Sequence, residues 1–232
     1  MTGSPAMRQT WRDLTFLHWP MEPAVVQPFI PKGLHLDLYQ GAAWIGLVPF
    51  VIDDLTLPNA PAVPWLSRFA ETNVRTYVVD DKGVRGVWFF SLDAARLLAV
   101  IGARAVYALP YFWAQMSVRC DAKTARYSSV RHFSKLGRCD IEVAIGDVIE
   151  QPSELEIFLT ARFRLFVERS KRILRAEVEH SSWKLQRATV VKLEQNLLQA
   201  GGLPAVQSPP LVLFSSRIDV LVGDCLPCIR LG

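Results

Sequence analysis

Cysteine is scarce in this chain, and the scarcity excludes one architecture at once. Four cysteines, Cys120, Cys139, Cys225 and Cys228, stand at irregular spacing in 232 residues, too few for the disulfide framework that holds small secreted domains together. Free thiols fit a reducing compartment. Cys225-Leu226-Pro227-Cys228 has CxxC spacing, but no second pair and no nearby histidine accompany it, and structural zinc takes four ligands. The pair reads as two incidental thiols in a flexible tail, residues 223–232, and no metal or organic cofactor is called for.

Long apolar runs are missing too. The most apolar stretch, residues 94–114, is broken by Arg96, Arg104 and Pro110, whereas a membrane-spanning helix takes about 20 residues almost free of charge. Residues 1–11 have no apolar core of the secretory kind. A cytoplasmic protein with no membrane partner is the expectation. Low-complexity blocks, charged linkers and internal repeats are absent, and the 15 prolines and 13 glycines are spread along the chain. Nothing therefore marks a boundary, and residues 1–232 are expected to form one domain, with 1–6 either disordered or ahead of the native start. A glycine-rich phosphate loop is absent as well, which argues against a parallel nucleotide-binding fold.

What is present is apolar mass with a mild excess of positive charge. Half of the residues are hydrophobic and the formal net charge is +4, enough apolar material for a sizeable core. The densest basic stretch, Arg162, Arg164, Arg169, Lys171, Arg172 and Arg175, is interleaved with Glu154, Glu156, Glu168, Glu177 and Glu179, which neutralise the local field. No recognised nucleic-acid-binding motif stands beside it. It reads as a solvated sheet face, and no nucleic-acid partner is expected.

Period-two patterns dominate the chain. Residues 11–19 predict a strand, and Pro20-Met21-Glu22-Pro23 opens a short helix that Pro28 and Pro31 end. Residues 34–39 and 43–52 are β-rich runs around Gln40-Gly41, which predicts a hairpin, and a proline-rich surface loop follows over 53–64. Residues 70–79 and 84–93 flank Asp80-Asp81-Lys82-Gly83, a polar turn with glycine where positive φ is needed. Helices are expected over 94–104, 153–161 and 194–200; in the second, Ser153 caps and Glu154 and Glu156 favour the first turn. Further strands are expected at 112–120, 126–133, 139–148, 164–168, 173–180, 185–193 and 211–222. Many strands with short helices define an α+β class dominated by antiparallel β, rolled into a barrel-type or two-sheet core.

Chemistry concentrates on the strand at 70–79. Alternation places Glu71, Asn73, Arg75 and Tyr77 on one face and Thr72, Val74, Thr76 and Val78 on the other. A polar face backed by a β-branched one predicts a strand that packs on one side and lines a wet cavity on the other. On the returning strand Phe89, Ser91 and Asp93 share a face, and pairing in register brings Ser91 near Glu71. An arginine among such groups clamps a carboxylate or phosphate through paired charge-assisted hydrogen bonds, and a glutamate with a tuned pKa serves as acid or base. The plainer alternative is a cross-strand ladder on an exposed sheet, worth a few tenths to about 1 kcal/mol. Both stand at this level. His18, beside Trp19, reads first as a core histidine donating one hydrogen bond and second as a base, and His180 likewise. Ser91, Asp93 and His18 are the chemical types of a hydrolytic triad, but no nucleophile elbow surrounds the serine.

The same residues carry a resemblance. Arg8-Gln9-Thr10-Trp11, Phe16-Leu17-His18-Trp19, Phe69-Ala70-Glu71-Thr72-Asn73-Val74-Arg75-Thr76-Tyr77-Val78, Phe89-Phe90-Ser91-Leu92-Asp93, Leu109-Pro110-Tyr111, Phe158-Leu159-Thr160-Ala161-Arg162 and His180-Ser181-Ser182-Trp183 cover nearly the whole chain. In order and spacing they resemble the signatures of the YqjF-like family of the acetoacetate-decarboxylase-like superfamily. The resemblance implies a β-rich barrel-type core with an internal pocket, a start at Met7, and frequent homo-oligomers. It implies too that Glu71 stands where the decarboxylase has an active-site glutamate, and that Tyr111, in Ala108-Leu109-Pro110-Tyr111-Phe112, stands where that enzyme has its Schiff-base lysine. A phenol cannot condense with a keto carbon, so decarboxylation of that type is not expected. Lys184 lies elsewhere and reads as a solvated side chain, and the decarboxylase's other active-site arginine would fall loosely near Trp11 or Arg12.

The resulting expectation is an internal polar pocket for a small anionic or keto-acid-like molecule. Arg75 anchors its charge, Glu71 and Tyr111 are the catalytic candidates, and Asn73, Tyr77, Ser91 and His18 contact the ligand. Lyase or hydrolase activity without a Schiff base is one form of it and a non-catalytic ligand sensor is another. In a third, a structural or partner-binding protein, Glu71 and Arg75 only tie the sheet together.

Overall fold

The computed structural model describes residues 5–58 and 67–231. In chain order its strands are β1 (Met7–Met21), β2 (Leu34–Leu36), β3 (Ala43–Thr56), β4 (Phe69–Asp80), β5 (Arg85–Ala94), β6 (Tyr111–Cys120), β7 (Thr124–Arg131), β8 (Arg138–Val148), β9 (Arg164–Arg169), β10 (Arg172–His180), β11 (Gln186–Gln195), β12 (Leu211–Val222) and β13 (Leu226–Arg230). Among the described residues four short α-helices, α1 (Pro23–Val26), α2 (Leu97–Tyr107), α3 (Glu154–Thr160) and α4 (Leu197–Ala200), and a 3-10 turn at Gln27–Phe29 join them.

The strands make one sheet that closes on itself. From β5 the hydrogen-bonded neighbours run β6, β7, β8, β11, β12, β1, β3 and β4, and β4 returns to β5. Strands β9 and β10 bridge the ring from β5 to β12, so β1, β3 and β4 belong to two closures at once. Pairings are antiparallel except β5 with β6 and β5 with β9, which makes the fold a predominantly antiparallel α+β arrangement, as the sequence predicts.

A strand shared by two closures is buried on both faces, and its side chains divide between two cores by parity. On β1, Phe16 joins one apolar cluster with Val48, Phe50, Tyr77, Leu92, Tyr111 and Leu159. Leu17 and Trp19 join the other, with Ile45, Leu47, Val74, Tyr127 and Ile141. Each such side chain contributes about 1.5–3 kcal/mol on burial. The run Ala43 to Ile52 on β3 is buried throughout, so its sequence is continuously apolar rather than alternating.

Turns and caps form where the residues demand them. In the β4–β5 turn Gly83 takes φ +78, and Asp80 Oδ1 accepts from the backbone of Lys82 and Val84 at 2.9 and 2.8 Å. Helix α3 has the full capping box, with Ser153 and Glu156 exchanging side-chain and backbone bonds.

Three expectations change. The predicted hairpin around Gln40-Gly41 is reduced to a single bridge between Tyr39 and Ala42, because β2 pairs with β4 instead of β3, and the Asp37 amide donates to the Tyr77 carbonyl at 2.9 Å. The surface loop predicted from residue 53 begins later, since β3 continues to Thr56; its part at 59–64 lies outside the described residues. Residues 226–230, read as tail, form β13 against β10, with Pro227 tolerated on an edge strand. Of residues 1–6, 1–4 lie outside the described residues, and Ala6 donates to the Val222 carbonyl at 2.8 Å.

Candidate functional site

Strand β4 builds the site. Glu71, Asn73 and Arg75 lie opposite Phe50, Val48 and Gly46 of β3. Glu71, Asn73, Arg75 and Tyr77 are 3, 4, 8 and 0% exposed, so the exposed-ladder reading of Glu71 and Arg75 fails: both are interior. Their face is the one that carries the Phe16 cluster, while Val74 packs into the other core.

Ser91 is not among them. The β4–β5 register shifts after Val74, which pairs with Ser91, to Arg75, which pairs with Phe89. The extra residue, Phe90, is a β-bulge, and one inserted residue exchanges the faces of everything beyond it. Ser91 and Asp93 therefore join the Thr72 and Val74 side, away from Glu71. There Asp93 accepts from Arg131 Nε at 2.7 Å and from Ser129 at 3.1 Å, a buried ion pair between β5 and β7 that has no histidine in it.

Helix α3 ends against Tyr77 and Arg75. Helices leave their last carbonyls without partners, and three consecutive ones are taken here by side chains. Arg162 Nε donates to Phe158 O at 2.8 Å, Trp183 Nε1 to Thr160 O at 2.9 Å, and between them Leu159 O accepts from Tyr77 Oη at 2.7 Å and Arg75 Nη2 at 3.3 Å. The Arg75 guanidinium lies over the rings of Phe16 and Tyr77 at 5.5 and 5.8 Å. Its Nε is buried without a hydrogen-bond partner, and among the described residues no carboxylate forms an ion pair with it. Contrast Arg162, equally buried, which is 2.5 Å from Asp37.

His18 reaches the same place from β1. Its Nε2 is 2.6 Å from Tyr77 Oη, and burial, helped by the Arg75 charge, holds its pKa well below the usual 6.5. Gly46 makes this possible: a Cβ there would sit 2.9 Å from His18 Nε2 and 3.4 Å from Arg75 Cγ.

Glu71 and Tyr111 form the other end. Tyr111 opens β6 beside Leu92 and donates its hydroxyl to Glu71 at 2.6 Å. Burial raises the Glu71 carboxyl from 4.5 to about 7, against the opposing hydrogen bonds of Tyr111 and Asn73, with nearby Asp93 raising it further. Burial also pushes the Tyr111 phenol well above 10, so near neutrality it is a proton donor facing a carboxyl that is half ionised. None of the seven lysines is buried: six are exposed, Lys184 among them, and Lys192 is half-buried. His180 sits near the surface, stacked on Phe163.

Two clefts, of about 720 and 310 Å³, open on the surface, and neither is lined by Glu71 or Arg75. The larger is bounded by Arg8, Thr10, Asp54 and His180. Trp183 links it to the interior, packing on His180 at 5.1 Å and edge-on against Phe16 at 5.1 Å. Among the described residues no group of three or more His, Cys, Asp and Glu is placed to hold a metal ion, Cys225 and Cys228 are free thiols, and no helix is long and apolar enough to cross a membrane. Sequence reasoning missed Trp183, Arg162 and the Leu159 carbonyl as site components, although the motifs containing them were visible.

The fold is similar to that of acetoacetate-decarboxylase-like proteins. The enduracididine biosynthesis enzyme MppR, solved in complex with pyruvate, superposes with a TM-score of 0.70 at 12% identity, over 98% of this chain and 91% of that one. The acetoacetate decarboxylase of Legionella pneumophila subsp. pneumophila str. Philadelphia 1 gives 0.70 at 11% identity over 98% and 88%, and an acetoacetate decarboxylase-like enzyme from Sphingomonas wittichii RW1 gives 0.68 at 10% over 99% and 95%. These likenesses are of fold. The chain belongs to the DUF2071 family, described as an uncharacterized conserved protein, which matches residues 8–219. The uncharacterized protein YqjF of Bacillus subtilis (strain 168) is 35% identical to it over 217 residues, 93% of this chain and 89% of that protein.

Proposed function

We propose that this protein binds a small anionic molecule of the keto-acid-like kind inside the ring, with its negative charge on Arg75 and with Glu71 and Tyr111 as the proton-handling pair. One observation carries the reading: Arg75 is a buried cation with no ion-pair partner among the described residues. An uncompensated buried charge costs several kcal/mol, and a carboxylate from solution offsets that cost through charge-assisted bonds to the unused Nε. A Glu71 carboxyl near pKa 7 is suited to give or take a proton at neutral pH. Schiff-base chemistry is not part of the proposal, because Tyr111 is a phenol and no lysine is interior. Entry from the larger cleft would require Trp183 to swing from Phe16. The free cysteines favour a cytoplasmic setting, and the continuous ring favours a single domain.

The test is a thermal-shift screen of carboxylic metabolites on wild type and Arg75→Ala. Stabilisation of wild type that the variant loses supports the anchor; equal stabilisation of both overturns it. Turnover then separates enzyme from sensor. Product formed by wild type and lost in Glu71→Gln identifies an enzyme, and tight binding with no product identifies a sensor.

A further inference from the structure

We infer that the smaller cleft is a second binding site, for a small organic ammonium ion that carries an apolar group. It is separate from the interior site proposed at Arg75 and rests on other residues.

The cleft opens where the sheet divides. Strand β5 pairs in parallel with β9 at Val87 and Trp88 and in parallel with β6 from Leu92 onward, so on that edge Phe89, Phe90 and Ser91 have no strand beside them among the described residues. The gap of about 310 Å³ is at the small end of the range for ligand pockets. Five aromatic residues line it: Phe29, Trp88, Phe89, Phe90 and Phe166. Phe29 stands edge-on to Phe90 with ring centroids 5.8 Å apart, and two glycines let both approach. A Cβ on Gly202 would sit 2.7 Å from Phe29 Cε1, and one on Gly201 would sit 3.1 Å from Phe90 Cβ. Phe29 is 38% exposed and Trp88, Phe89 and Phe90 are half-buried, an aromatic surface open to solvent of the kind that marks binding sites.

Charge selects the occupant. Glu168 is the one charged residue among those lining the cleft. It is exposed, and among the described residues its carboxylate makes no ion pair and no hydrogen bond. Helix α2 ends at the same rim, since Ala108, its left-handed cap residue, also lines the cleft, and a helix C-terminus carries partial negative charge. The nearby arginines are engaged elsewhere: Arg104 Nε donates to Tyr111 O at 2.7 Å and Arg169 Nη1 to Val106 O at 3.2 Å. Arg169 thus answers part of the α2 end and leaves the Glu168 carboxylate unmatched. Arginines lie over the rings of Phe16, Tyr77, Phe112 and Phe158, so among the described residues the five rings of the cleft have no cation over them. An anion would meet Glu168 and the negative faces of the rings. A neutral apolar molecule would fill the cleft but strip water from an unpaired carboxylate. An ammonium ion answers both features, its charge held by the carboxylate and the ring faces and its apolar group laid on the aromatic lining.

The experiment titrates the full chain at pH 7 with phenethylammonium and with its neutral match, 2-phenylethanol, following the heat of binding and the tryptophan indole N–H resonances. Phenethylammonium should bind at least about tenfold more tightly than the alcohol and should shift the Trp88 resonance, assigned by its loss in Trp88→Phe. Glu168→Gln changes an exposed side chain without partners, so it should leave the unfolding temperature unchanged and bring the two affinities together. Arg75→Ala should alter neither affinity, which separates this cleft from the interior anion site. Equal binding of the two probes, an ammonium affinity that survives Glu168→Gln or is lost in Arg75→Ala, or shifts confined to other tryptophans overturns the inference, as does the absence of binding.

Discussion

Replacing Arg75 with methionine separates a binding cation from a structural one. In the native chain Arg75 is 8% exposed, and among the described residues its guanidinium makes one long hydrogen bond, 3.3 Å to Leu159 O. That carbonyl keeps a better partner in Tyr77 at 2.7 Å, so the substitution orphans nothing. The cation–ring contacts at 5.5 and 5.8 Å are worth about 1–2 kcal/mol together when desolvated. Against them stands a desolvation cost of several kcal/mol for a buried ion without a counterion. Methionine is unbranched and adaptable, and fills the stem's place with little strain. The Arg75→Met protein should therefore be more stable than wild type by about 1–3 kcal/mol in urea unfolding at pH 7, with Tm rising by about 2–4 °C for each kcal/mol. It should also lose the stabilisation that a bound carboxylate confers, about 3 kcal/mol at a hundred times Kd. A variant destabilised by more than about 2 kcal/mol, or one that carboxylates still stabilise, refutes the reasoning and makes Arg75 a tie in the sheet.

The remaining predictions concern the groups around it. Glu71 has a folded pKa of about 7 against 4.5 in the unfolded chain, so between these values the native state holds the extra proton and its stability falls as pH rises. Glu71→Gln should match the pH dependence of wild type below about pH 4.5 and gain on it by about 3 kcal/mol by pH 8, at about 1.4 kcal/mol per pKa unit; a pH-independent difference in denaturation midpoints would show that the carboxyl ionises as in water. Gly46→Ala should cost about 1–3 kcal/mol and weaken carboxylate binding, because the new Cβ would meet His18 Nε2 at 2.9 Å; unaltered binding would separate His18 from the site. Ser153→Ala should cost about 1 kcal/mol through the lost cap of α3, and unfolding curves superimposable on wild type would deny that the capping box holds the helix.

The fold was legible where local chemistry decides it. Alternation found most strands, Gly83 marked the β4–β5 turn, and Ser153 with Glu156 marked α3. What was not legible depends on partners distant in sequence. Nothing local says that β2 leaves β3 for β4, or that a CxxC segment with a proline docks as an edge strand. Phe90 is the sharpest case. A bulge depends on how two strands fit the twist of the whole sheet, and it alone moved Ser91 from the Glu71 side to the other core. Glu71, Asn73, Arg75 and Tyr77 were legible because period two within one strand needs no partner.

Their spacing also explains why the two charged ends of the site remain distinct. Four residues along a strand put the Glu71 and Arg75 backbones about 13 Å apart. The groups that shift the Glu71 carboxyl are Tyr111, Asn73 and Asp93, not Arg75. Were the two closer, the guanidinium would hold Glu71 ionised, and the pair would neutralise itself as Arg162 and Asp37 do. The countercharge Arg75 does receive comes from the end of α3, whose macrodipole supplies at most about half a unit of negative charge. The strand thus keeps a protonatable acid and an incompletely balanced cation in one buried face, separated by Asn73. Only a molecule several atoms long engages both, so affinity that rises when a carboxylate is lengthened toward Glu71 is the behaviour this geometry demands, and a one-carbon anion such as formate engages Arg75 alone.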